Sequence, residues 1–281
     1  MSTDKFTIRP MTLADLELVI QWEATEGWNP GINDAIPFYS ADSSGFLIGE
    51  IDGTPISSIS AVRYGDSFAF MGIYIVQPAW RGKGYGLQTW NAALKLLGDR
   101  PTALDAVLQQ VNNYSKFGFK PIYHHLRYQG IGQAGVIPEG IVWLRDITFA
   151  DVVSYDNLYF PASRPAFLNT WINHSEHKAY GMIQDGKLCG YGVIRPSYTG
   201  WKIGPLFANS TEIAECLFVA LITHAENQPV FIDVPNINTL ALALVENRKM
   251  LPIFECVRMY THDIPNIEIN HIFGVTTLEL G

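Results

Sequence analysis

Cysteine is scarce in this chain, and so is charge. Among 281 residues there are three cysteines, Cys189, Cys216 and Cys256. None lies close enough to another for metal-ligand spacing, and an odd number argues for free thiols in a reducing compartment. Charged side chains make up 16%, with 19 Lys and Arg against 27 Asp and Glu, for a formal charge of −8. That deficit of positive charge excludes the clustered basic footprint that nucleic-acid binding needs, while an acidic balance attracts a cationic amine weakly at most. No apolar run reaches the roughly 20 residues of a membrane span. No apolar signal region precedes the first strand-like segment near Lys5. The expectation is a cytoplasmic monomer or homodimer with no membrane, nucleic-acid or metal partner. What the chain does have is apolar residues, 48% of the total, and a length that suits two packed domains.

A weak internal repeat supports two domains. Ile8-Arg9-Pro10-Met11-Thr12-Leu13-Ala14-Asp15-Leu16 returns as Leu144-Arg145-Asp146-Ile147-Thr148-Phe149-Ala150-Asp151-Val152. Each reads as a short strand, a Thr N-cap and an apolar helix. The hairpin signal Asp52-Gly53 returns as Asp185-Gly186. Lys120-Pro121-Ile122-Tyr123 and the residues to Tyr128 resemble Leu251-Pro252-Ile253-Phe254 and the residues to Met259. The three matches keep their order at nearly constant offset, which favours two copies of one fold, 1–135 and 141–281, joined by a Gly-rich link over 130–140.

In the first half, strands are expected over 5–9, 45–51, 54–63, 67–76, 103–108 and 121–128. Helices are expected over 13–24 and 84–97, with a helical turn at 112–117 and an irregular stretch over 27–42. The class is a mixed α/β fold whose sheet is built largely from hairpins.

The strongest motif is Val76-Gln77-Pro78-Ala79-Trp80-Arg81-Gly82-Lys83-Gly84-Tyr85-Gly86. An apolar strand stops at a proline, a Gly-rich turn follows, and a helix with Leu87, Trp90, Leu94 and Leu97 begins. Glycines let several backbone N–H groups converge, and the helix start adds its positive end, which together make a cradle for a diphosphate. A dinucleotide-binding fold would place such a turn in an early βαβ unit. A P-loop needs Lys-Ser or Lys-Thr after its last glycine, and Gly86 is followed by Leu87. Both nucleotide readings fail.

These residues resemble the hallmark of the GNAT acyltransferase superfamily, Gln/Arg-x-x-Gly-x-Gly/Ala, at Arg81, Gly84 and Gly86. Downstream, Asn113-Tyr114-Ser115-Lys116-Phe117-Gly118-Phe119 is similar to the superfamily's Phe-Tyr-x-Lys-x-Gly-Phe ending. Nearly the whole chain is similar to a bacterial two-domain subgroup of the YitH kind, through Glu26-Gly27-Trp28-Asn29-Pro30-Gly31, Lys202-Ile203-Gly204-Pro205-Leu206 and Asp233-Val234-Pro235. The resemblance implies tandem GNAT folds, the second degenerate, and an acetyl group carried from acetyl-coenzyme A to an amine. It implies that Arg81, Gly82, Lys83, Gly84, Tyr85 and Gly86 hold the coenzyme pyrophosphate and that Tyr74, Ile75 and Val76 pair with the pantetheine arm. It further implies that Tyr114 is the acid for the departing thiolate.

An alkylamine, with a pKa of about 10.4, must lose a proton before it attacks a thioester at neutral pH. Many relatives carry an acid for this on the strand before the loop, and residues 70–76 have none. Glu26 and Asp34 are the replacement candidates, each against the plainer reading of a solvated loop carboxylate. Trp22, Trp28, Asn29 and Tyr39 are candidates for an acceptor wall, against simple packing of the loop. His124 and His125 point to opposite faces of one strand. The second half lacks the Gly-rich loop and has Val245 where the first has Tyr114. In it Arg164, Arg195, Asp233 and Arg258 suit either a substrate carboxylate or strand-to-strand ties. The alternatives to a small-molecule acetyltransferase are a non-catalytic coenzyme A sensor and a protein N-acetyltransferase.

Overall fold

The computed structural model describes residues 5–281; the expected lead-in at residues 1–4 lies outside the described residues. The first half runs β1 (Phe6–Pro10), α1 (Leu13–Thr25), α2 (Ala35–Ala41), β2 (Phe46–Ile51), β3 (Thr54–Tyr64), β4 (Phe68–Val76), α3 (Tyr85–Leu97), β5 (Thr102–Val107), α4 (Val111–Ser115) and β6 (Lys120–Ile131). The second runs β7 (Ile141–Trp143), α5 (Phe149–Asp156), α6 (Pro165–Asn173), β8 (Lys178–Gln184), β9 (Lys187–Pro196), β10 (Trp201–Ala208), α7 (Thr211–Ile222), β11 (Pro229–Pro235), α8 (Thr239–Asn247), β12 (Leu251–Tyr260) and β13 (Ile272–Gly274). This is a mixed α/β fold, as the sequence indicated.

Local rules explain much of it. Thr12 caps α1: Asp15 N–H donates to its hydroxyl, and Thr12 N–H donates to the Asp15 carboxylate at 2.7 Å. Asp52-Gly53 and Asp185-Gly186 both turn with positive φ at each residue (48° and 79°, 50° and 74°), the primed hairpin turn that matches strand twist. α3 buries Thr89, Trp90, Ala93 and Leu97 against the sheet, one face of a 3.6-residue period, and leaves Leu87 turned out. Two expectations change. The stretch over 27–42 contains a helix, α2. Leu144–Asp146, expected as a strand, is a 3₁₀ turn, and the strand before α5 is the earlier Ile141–Trp143.

Among the described residues, thirteen strands form one sheet, in the order β1-β2-β3-β4-β5-β12-β6-β11-β10-β9-β8-β7, with β13 on β10. The order reveals an exchange between halves. β12 lies antiparallel between β5 and β6, while β6 crosses to pair with β11. Packing follows the exchange: Val257 and Met259 of β12 enter the core under α3, and Tyr128 of β6 enters the core under α7 and α8. A further core joins α1 and α2 to α5 and α6, where Phe38 stacks on Trp171 at 6.3 Å. The two halves therefore share sheet and core, and neither closes its own sheet.

Candidate active site

Parallel strands β4 and β5 pair only from Ala69↔Thr102 to Met71↔Leu104 and then diverge. A bulge in β4 opposite Ser58–Ser60 lies beside the fork, with Ile73 at φ 50°. A β-branched residue there is strained, by about 1–3 kcal/mol, and Ser58 Oγ helps hold it by donating to Ile73 O at 2.8 Å. The fork opens a cavity of about 580 Å³.

The Gly-rich loop borders that cavity through Arg81, Gly82, Gly84 and Gly86. Gly82 and Gly84 take φ of 75° and 85° with open space at their Cβ positions, so backbone conformation selects glycine there. Gly86 is required for a different reason: a Cβ would meet Tyr74 Oη at 2.5 Å and Val76 Cγ2 at 2.9 Å. Gly84 is the N-cap of α3 and offers no capping side chain, so the first N–H groups remain available to an anion. Arg81 braces the loop: its Nε donates to Val76 O at 2.7 Å and its guanidinium pairs with Glu26. Lys83 lies over the Trp80 ring at 4.9 Å and, like Tyr85, is not among the residues lining the cavity. A cradle with free amides, no side chain in the way and a positive helix end fits a diphosphate.

Tyr74, Ile75 and Val76 line the cavity along β4, and Tyr114 faces it from α4. The Tyr114 ring stacks on Trp90 at 4.8 Å and 4° and lies 6.5 Å from Tyr74. Burial pushes its phenol above the ordinary value, so the hydroxyl keeps its proton at neutral pH, the state an acid requires.

Of the proposed base and acceptor residues, Glu26 and Trp28 line the cavity. Asp34 is fully buried away from it: Arg195 donates to it at 2.7 and 3.0 Å and Gly31 N–H at 2.9 Å. Burial opposes its charge, but Arg195 outweighs burial and holds the carboxyl below the ordinary range. Asn29 ties the loop to the second half, donating to Thr199 O at 3.2 Å and accepting from Thr199 N–H at 2.8 Å. Trp22 and Tyr39 pack on the core shared by the helices.

Sequence reasoning missed a wall supplied across the exchange. Phe254 and Cys256 of β12, Leu278, Glu279, and Arg127 and Asp105 of the first half all line the cavity. Two of the buried charges on this wall are paired: Arg258 and His125 hold Asp105 at 2.7 to 2.9 Å, and Arg127 donates to Asp233 at 2.7 and 2.9 Å. Burial disfavours the Asp105 charge, yet Arg258 and His125 keep the carboxyl well below its usual range. Burial pushes the Cys256 thiol up. Arg164, Arg195, Asp233 and Arg258 all sit in buried ion pairs within the chain. One signal of this wall was in the sequence, the likeness of the two final strands; their exchange was not.

In the second half the equivalent fork is filled. β10 and β11 pair from Trp201↔Val230 to Ile203↔Ile232, and β13 then occupies the gap on β10. A Cβ on Gly204 would meet Thr276 O at 2.3 Å, just as one on Gly72 of β4 would meet Glu279 O at 2.2 Å. Residues 272–281 thus run from the second fork into the first.

Comparison with known proteins places these features. A model described as "Acetyltransferase (GNAT) family" matches residues 13–119, and one described as "Acetyltransferase (GNAT) domain" matches 152–274. A holothin acyltransferase from Pseudoalteromonas sp. (strain SANK 73390) is 31% identical over 98% of this chain and 95% of its own. The uncharacterized N-acetyltransferase YitH of Bacillus subtilis (strain 168) is 26% identical over 82% and 83%. The crystal structure of a putative acetyltransferase from Pyrococcus horikoshii superposes with a TM-score of 0.84 at 21% identity, covering 100% of this chain and 98% of that one. Among the described residues, no helix is long and apolar enough to cross a membrane.

Proposed function

Because the chain belongs to the GNAT family of acyltransferases and carries two such domains in tandem, we propose that its first half moves an acetyl group from acetyl-coenzyme A to a primary amine of a small molecule or amino acid. Residues 1–135 are the catalytic unit and 141–281 the degenerate companion that completes its wall. The observation that carries this reading is the single cavity-lining set that brings Gly82, Gly84 and Gly86 together with Tyr114 at the β4–β5 fork.

In this reading the loop amides hold the diphosphate, and the unpaired edge of β4 at Tyr74, Ile75 and Val76 receives the pantetheine arm as another strand would. Bound there, the coenzyme supplies the activated thioester. Tyr114 gives its proton to the departing sulfur. Trp28 and Phe254 form the aromatic part of the acceptor wall, suited to a cation or an apolar group. Glu26 serves Arg81 and Asp34 serves Arg195, so both act in holding the loops. A similar protein is named for acylating holothin, which makes that compound the first acceptor to try here.

The test is thiol release from acetyl-coenzyme A with holothin and a panel of primary amines and amino acids. Turnover with one member supports the reading. Tight coenzyme binding with no turnover on any of them favours the sensor, and turnover only on peptide amines favours a protein acetyltransferase.

A further inference from the structure

β4 brings no acid to the cavity, but a carboxylate from far along the chain lines it. Glu279 lines the cavity, is 5% exposed, and among the described residues its Oε2 has no hydrogen-bond partner. Its backbone carbonyl packs on Gly72, where a Cβ would come within 2.2 Å. Gly72 precedes the Ile73 bulge, on the strand that carries Tyr74, Ile75 and Val76. The segment is anchored on both sides: Val275 N–H donates to Asp233 O at 3.0 Å, Tyr64 Oη to Leu280 O at 3.0 Å, and Arg164 to Thr276 Oγ1 at 2.8 Å. A carboxylate on so fixed a backbone is positioned, and an orphaned buried oxygen is costly unless something binds it.

We propose that Glu279 is the base that takes the proton of the acceptor ammonium, an assignment that rests on the acetyltransferase reading above. Every other carboxylate facing the cavity is engaged, Asp105 by Arg258 and His125 and Glu26 by Arg81. The charged groups that face Glu279 are Glu23 of α1, Arg127 of β6 and Lys202 of β10. Glu23 is wholly buried, and among the described residues neither of its oxygens has a partner. Burial, then Glu279 and Asp34, push Glu23 well above the ordinary carboxyl range. Those surroundings favour the uncharged form of Glu23.

The step balances without a further reactant. The ammonium gives one proton to Glu279, and the freed nitrogen pair forms a bond to the acyl carbon. The carbon–sulfur bond breaks, and its electrons leave on sulfur, which takes the Tyr114 proton. The second nitrogen proton restores the Tyr114 hydroxyl, and Glu279 returns its proton to water. Ammonium and thioester become amide, thiol and one proton.

The experiment compares wild type with E279Q and E279D, using the best primary alkylamine from the panel and a hydrazide that is neutral at assay pH. For E279Q at pH 7 the expected fall in kcat/KM with the alkylamine is on the order of 10²-fold or more. The gap narrows toward pH 10, where a sizeable fraction of the amine is already neutral. The hydrazide loses little, and coenzyme A binds E279Q with wild-type affinity in calorimetry. E279D keeps a carboxylate and recovers part of the loss; if E279Q does not fold, E279D against the two nucleophiles carries the comparison. Equal losses for both nucleophiles, or a loss that does not change with pH, overturn the assignment in favour of a merely structural Glu279. E279Q as active as wild type overturns it outright. A wild type that binds acetyl-coenzyme A and acetylates nothing overturns the acetyltransferase reading instead, and the base with it.

Discussion

Gly86 offers the sharpest perturbation of the proposed coenzyme cradle. Replacing it with Ala puts a carbon 2.5 Å from Tyr74 Oη and 2.9 Å from Val76 Cγ2, where ordinary contact begins at 3.4 Å. Tyr74 has little room to retreat, since its ring lies 5.4 Å from Trp90. The start of α3 must therefore move. Overpacking of this size costs about 1–3 kcal/mol, and roughly 1.4 kcal/mol of it expressed at the loop weakens coenzyme binding tenfold. Gly84→Ala tests a different cause: its methyl meets nothing within 4 Å, but φ of 85° costs an L-residue about 1–2 kcal/mol. Tyr74→Phe removes the closest clashing atom and leaves the ring carbon at 3.4 Å. Because the Val76 contact remains, it should restore part of the affinity lost in Gly86→Ala and none of that lost in Gly84→Ala. Calorimetric titration of each variant with coenzyme A, beside its melting curve, reads the cycle. Wild-type affinity in Gly86→Ala, or a rescue by Tyr74→Phe that is equal at both glycines, would refute the reasoning.

Tyr114→Phe keeps the ring that stacks on Trp90, so coenzyme affinity and melting temperature should hold while turnover falls by roughly 10²-fold or more; unchanged turnover removes Tyr114 from the chemistry. Asp34→Ala strands a buried Arg195 and should cost about 3–5 kcal/mol in chemical denaturation. A variant of full stability with lost turnover would instead make Asp34 a participant. His177 donates its Nδ1–H to Trp171 O at 2.8 Å, and burial pushes its pKa down to about 3 from 6.5. The unfolded chain takes up this proton below pH 6.5 and the folded one does not, so the contribution is full above that pH and is lost as pH falls toward 3. Between pH 7 and 4.5 the loss is about 2–3 kcal/mol. His177→Asn should flatten that part of the stability curve, and an equally steep curve would contradict it.

The sequence made legible whatever local chemistry dictates. The Thr12–Asp15 capping box starts α1 where it was expected, and the two Asp-Gly pairs turn as primed hairpins demand. The proline-terminated strand and the glycines lead into α3 within a residue of the expected start. α2 was not legible because it starts without a cap: its Asp34 carboxylate is drawn to Gly31 and Arg195, and Pro37 lies inside it. The exchange of β6 and β12 was hidden for another reason. Their similar sequences satisfy the same apolar pattern in either half, and pairing partners are chosen by tertiary packing. With that exchange went the whole second-half wall, Phe254, Cys256, Leu278 and Glu279. The companion half then accounts for itself, because β13 fills its fork.

Calorimetry of the intact protein with acetyl-coenzyme A tests the central claim most directly. The account requires one molecule bound per chain, with binding abolished by Gly84→Glu, which sets a carboxylate where the diphosphate belongs. Two molecules per chain, or a Gly84→Glu variant that binds as the wild type does, would contradict it.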